Sequence, residues 1–206
     1  MSFTFVLAVL SASSPALGKT FRSPMMILVS LILVLTCTIL IFCYKEYRQR
    51  VPLNYILLGG ATLGEACLLA ATAANLTVMS VYMAILATCL AVAGLFCGAL
   101  YTSSTMDRDL LIRNMAKFFF VSLFIDIFCI ILVFFFMNPK DKAVVAVISV
   151  IMLVVVSAYV MYALLFVIVP GIADKDDYIL GALQLYLEIA RLFFWLMKLL
   201  GEKKNG

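Results

Sequence analysis

Asp176-Asp177-Tyr178-Ile179-Leu180-Gly181-Ala182-Leu183-Gln184-Leu185-Tyr186-Leu187-Glu188-Ile189 decides how this chain is read. Two acids and an aromatic residue open an otherwise apolar helix, and Glu188 sits well inside it. An ionisable group at bilayer depth costs several kcal/mol, about 2.5–3.5 on insertion scales, so it marks a functional site by default. Arg191 follows three residues later and falls on the same helical face, which allows a local ion pair.

Working outward, the rest of the chain has the composition of a membrane protein. Of 206 residues, 66% are hydrophobic and only 13% charged, with a mean hydropathy of +1.18. A soluble domain is about 45–50% apolar. Apolar runs of about 20 residues, enough to cross a hydrocarbon core of about 30 Å, recur along the chain. The expected fold is all-α: one polytopic membrane domain over 1–206, with seven transmembrane helices.

The runs place helices at about Phe3–Leu17, Met25–Tyr44, Asn54–Ala74, Val78–Leu100, Met115–Phe136, Ala143–Val169 and Tyr178–Leu200. Pro15 should end or kink the first, which is short for a crossing. That run and the small residues after it look like a signal peptide, but no basic residue precedes Lys19. A retained first helix is therefore expected. Only Asn75-Leu76-Thr77 separates the third and fourth helices, which predicts antiparallel neighbours whose glycines and alanines meet.

The net charge of +4 comes from basic residues between apolar runs, where headgroups and snorkelling account for them. Nucleic acid is not an expected partner; the lipid bilayer is. With seven spans the basic residues divide seven to eight between the two sides, so the positive-inside rule sets no orientation. The six cysteines (Cys37, Cys43, Cys67, Cys89, Cys97 and Cys129) show no paired spacing and are read as small apolar packing residues. No HExxH, GxSxG or phosphate loop is present, so an enzyme is not expected. Histidine is absent, so proton sensing would fall to carboxylates.

Four charged groups fall inside the apolar runs: Glu65, Asp126, Glu188 and Arg191. Two readings of Glu188 stand. It is a structural partner of Arg191, or it faces a cavity with Glu65 or Asp126 and titrates there. Two nearby carboxylates in low dielectric cannot both ionise easily, and an ionised pair can hold Ca²⁺ through its oxygens. Asp126 is either bonded within its own bundle or meets a partner subunit. Arg48 is an interfacial anchor or a latch to an acid.

With those residues in view, the chain resembles the Bax-inhibitor-1 family, also called the transmembrane Bax-inhibitor-motif family. It looks most like the Lifeguard branch, which includes the Golgi anti-apoptotic proteins. The resemblance rests on Pro52-Leu53-Asn54-Tyr55-Ile56-Leu57-Leu58-Gly59 with Thr62-Leu63-Gly64-Glu65-Ala66. It rests also on Asp176-Asp177-Tyr178 through Leu185-Tyr186-Leu187-Glu188-Ile189, and on Tyr101-Thr102 before a charged loop. The resemblance implies a fold of seven transmembrane helices around a central C-terminal helix, and a pH-sensitive calcium leak controlled by two acids. Glu188 matches the second acid; Ala163 stands where the first is expected, after Tyr162. Arg48 falls near the family's latching arginine.

Two functions follow as expectations. One is a modified pH-sensitive calcium or cation leak in a Golgi or ER membrane, with no resident cofactor beyond Ca²⁺ and bound lipid. The other is a non-conducting accessory subunit of a large membrane assembly such as a mitochondrial respiratory complex. In that case the phenylalanines of the fifth helix (Phe118–Phe120 and Phe134–Phe136) would supply contact area.

Overall fold

The computed structural model describes residues 1–44, 46–47, 50–102, 142–168 and 178–202. Among them lie seven helices: α1 (Ser2–Ser13), α2 (Pro15–Phe21), α3 (Pro24–Cys43), α4 (Leu53–Ala73), α5 (Val78–Thr102), α6 (Lys142–Ile168) and α7 (Tyr178–Leu200). No strand occurs among the described residues. Five of the helices, α3 to α7, are long and apolar enough to span a membrane. The expected helix at 115–136 lies outside the described residues, as do Asp126, Arg48, Cys129 and the phenylalanines named above. Seven spans are therefore an expectation, and five are the finding.

Local chemistry sets the helix boundaries. The expected first helix is in fact two. Ser14 is extended (φ −103°, ψ 117°) and Pro15 starts α2, because a residue before proline avoids the helical region and proline lacks the donor an interior position needs. Ser23 caps α3: its hydroxyl accepts from the Met26 N–H at 3.3 Å, and Pro24 fills the first helical position.

Helix α7 is the axis of the bundle. About two-thirds of its span is buried (67%), against 17% to 44% for the other four. It packs on α4, α5 and α6, and α1 closes a further side through Phe5, whose ring meets Phe193 edge-on at 5.0 Å. One core joins Ile41, Leu57 and Ala61 to Val156, Val160, Leu183 and Leu187. A second joins Ala8, Ala12, Ala73 and Val81 to Ala190, Phe193 and Met197.

Beyond α7, the chain is tied to the α4–α5 turn. The Thr77 N–H donates to the Glu202 carbonyl at 2.9 Å, and the Glu202 N–H donates to the Ser80 hydroxyl at 3.0 Å. Gly201 lets this happen, because a Cβ there would run into the Met197 carbonyl and the Leu76 side chain.

The expected pairing of α4 with α5 is a correction. Despite the short turn, the two do not pack along each other; α4 lies on α3 and α1, and α1 also touches α5. The small residues of α4 meet α3 instead. Gly60 faces Cys37, and Gly64 faces Val34 and the Ser30 carbonyl. On the α1 side, the Ser11 hydroxyl donates to the Ala70 carbonyl at 2.7 Å. The physical reason is that lipid tails are as apolar as the helices, so association follows close van der Waals fit and polar contacts rather than loop length.

Candidate functional site

A helix turns 100° per residue, so α7 distributes its polar side chains to two sides. Gln184, Glu188, Arg191 and Trp195 share one side; Tyr186 points nearly the opposite way. The two sides form two separate polar clusters in an otherwise apolar core.

On the first side Glu188 is 1% exposed, and its Oε1 accepts from the Arg191 Nη1 at 2.9 Å. Arg191 is more open, at 13%. The acid is thus sealed inside the most buried helix, while the guanidinium reaches toward the outside. The pair is neutral as a unit, which is what lets a carboxylate stay at this depth.

One turn before Glu188, Gln184 is 3% exposed. Its Oε1 is buried and accepts no hydrogen bond from any described residue. A buried acceptor left unsatisfied costs about 1–3 kcal/mol, so this oxygen is a conspicuous exception in a packed core. Trp195, also buried, closes the far end of the same side.

On the second side the Tyr186 hydroxyl donates to the Thr62 carbonyl at 3.1 Å and lies 2.9 Å from the Thr4 Oγ1. With its proton committed to Thr62, it accepts from Thr4. Three helices (α1, α4 and α7) are joined through one oxygen. Glu65, half-buried on α4, is close enough for its charge to act at that hydroxyl.

The five candidate residues are therefore placed as follows. Glu188 and Arg191 are paired, one of the two arrangements that the sequence left open. Glu65 is half-buried on α4, within electrostatic range of the Tyr186 hydroxyl. Asp126 and Arg48 lie outside the described residues. Ala163, where the resemblance expected an acid, is buried on α6.

Gln184 and the Tyr186–Thr4 bridge were not picked out from sequence. Gln184 could have been found by its i, i+4 spacing to Glu188; the bridge spans 182 residues and leaves no local signal. The five described cysteines are free thiols. Cys37 is buried at α3–α4, but Cys43, Cys89 and Cys97 lie on the outer surface and fill no core. Among the described residues, no three His, Cys, Asp or Glu side chains gather as a metal site.

Five apolar spans, the most buried of which carries a sealed acid, define the class: an all-helical, multi-pass membrane protein. The family model for the inhibitor of apoptosis-promoting Bax1 matches residues 1–205, essentially the whole chain. The chain belongs to the Bax-inhibitor-1 family. Comparison with curated proteins and with solved structures returned no match.

Proposed function

We propose that this chain is a modified cation leak of an intracellular membrane, close to the Lifeguard branch of its family, with calcium as the conducted ion. Glu188 on α7 is its governing acid, and Glu65 or Asp126 is the second. One observation carries this reading: the only glutamate sealed among the described residues lies on the central helix, with a cation held against it. In the closed arrangement Arg191 occupies the carboxylate. Conduction requires the guanidinium to yield the carboxylate to a passing ion, and protonation of the acid would release it too. Arg48 is a second latch in this scheme. The activity is transport, not catalysis, and the compartment is the Golgi or ER.

A specific feature favours the other reading, a non-conducting accessory subunit of a mitochondrial respiratory complex. Ala163 replaces the family's first acid, and a glutamate already balanced by arginine can serve as a structural pin.

Calcium flux from liposomes containing this chain alone separates the two. The leak reading expects flux that changes with pH. No flux at any pH between about 5 and 8, the window in which a buried carboxylate titrates, would leave the accessory role.

A further inference from the structure

We propose that Gln184 is a cation ligand: its Oε1 and the Glu188 carboxylate form a paired oxygen site on α7 for a hard divalent ion, and Arg191 is the tethered cation that fills the site when the ion is away. This deepens the proposed leak and rests on it.

Three observations support the assignment. First, Gln184 and Glu188 are one turn apart on the same side of α7. Their Cβ atoms are therefore about 5–6 Å apart, and both side chains are long enough to meet at one ion. Second, the Gln184 Oε1 is buried and has no donor among the described residues, on a helix about two-thirds of which is buried (67%). An acceptor in that state calls for a guest. Third, the carboxylate already binds a positive group at 2.9 Å, so the position favours cations.

The chemistry selects the guest. An amide oxygen and a carboxylate are both hard donors, suited to calcium with water completing its shell, and offer nothing soft. The geometry provides the exchange. Gln184 stands four residues before Glu188 and Arg191 three residues after it, on opposite sides of the acid along the axis. An ion arriving from the Gln184 end meets the amide oxygen first. Arg191, at 13% exposure against 1% for Glu188, is the partner that withdraws.

Trp195 makes the site observable. It is the chain's single tryptophan and lies seven residues past Glu188 on the same side, about 10 Å along the axis. Purified full-length chain in detergent, titrated with Tb³⁺ as a calcium surrogate and excited through Trp195, should give saturable emission that Ca²⁺ competes away. Gln184→Met, which keeps length without the oxygen, should weaken the apparent affinity about tenfold, roughly the loss of one good ligand. Gln184→Glu should tighten it, and so should Arg191→Gln.

Equal affinity in Gln184→Met, Gln184→Glu and the parent chain would overturn the assignment, as would absence of saturable emission from the parent, which would leave a buried water as the guest. The leak itself is read separately. Calcium flux from liposomes with unchanged Tb³⁺ affinity in the Gln184 variants rejects Gln184 and keeps the leak. Tb³⁺ binding that depends on Gln184, without flux, keeps the site and rejects the leak.

Discussion

Arg191→Leu is expected to destabilise the bundle by about 3–5 kcal/mol, the cost of stranding one charge of a buried pair. Glu188 is the partner that loses its cation, and at 1% exposure it cannot reach water without opening α7. The converse change, Glu188→Leu, should cost less, because Arg191 is 13% exposed and its long stem lets the guanidinium snorkel outward. The double variant Glu188→Leu/Arg191→Leu should return close to the parent, since apolar replacement of a whole buried pair is often neutral or stabilising. Unfolding of the detergent-solubilised protein measures all three. An Arg191→Leu protein as stable as the parent would mean that the pair does not hold α7.

Gly64→Leu should be as damaging, for a steric reason. A Cβ at this position would sit 2.7 Å from the Val34 Cγ2 and 2.9 Å from the Ser30 carbonyl oxygen, and the latter is backbone that cannot rotate aside. Each inserted methylene in a tight core costs about 1–3 kcal/mol, and leucine adds several. Helix α3 is most exposed to the loss, because it is held chiefly by α4. Gly59 provides the control on the same helix: nothing lies within 4 Å of its would-be Cβ. Gly59→Ala should be neutral or slightly stabilising through helix propensity, worth up to about 1 kcal/mol. If Gly64→Leu melted with the parent, α3 and α4 would not be packed through this glycine.

The helices were legible in the sequence and their arrangement was not. Helices α3 and α4 start and stop within one residue of expectation, α5 starts at Val78 and α7 stops at Leu200 as expected. Long apolar runs closed by Pro52, Asn75 and Gly201 leave little freedom at their ends. Only the split at Ser14 was missed, although Pro15 pointed to it.

Neighbours were harder. The α4–α5 pairing failed because the few polar residues of these helices (Asn54, Thr62 and Glu65 on α4, Ser80 and Thr88 on α5) mark no continuous polar face that declares which side meets lipid. The short turn was the only cue, and it misled. Helix α7 was expected at the centre through the family resemblance, and its buried polar residues fit that place, since none could face acyl chains. The same contrast governs the site. The Glu188–Arg191 pair was readable because i, i+3 spacing of opposite charges is a local signal. Gln184 carries no charge and passed as one more residue of an apolar helix until its buried oxygen was located. Tyr186 and Thr4 are brought together by the fold alone.

The central claim is that Glu188 governs the ion path. The most direct test is calcium flux from liposomes that hold the purified chain, parent against Glu188→Gln, followed across about pH 5 to 8. Glutamine keeps the shape and a hydrogen-bonding oxygen for Arg191 but cannot titrate, and no histidine exists in this chain to titrate in its place. The account predicts a flux that varies with pH in the parent and is independent of pH in the variant. A variant that keeps the parent's full pH dependence would contradict it.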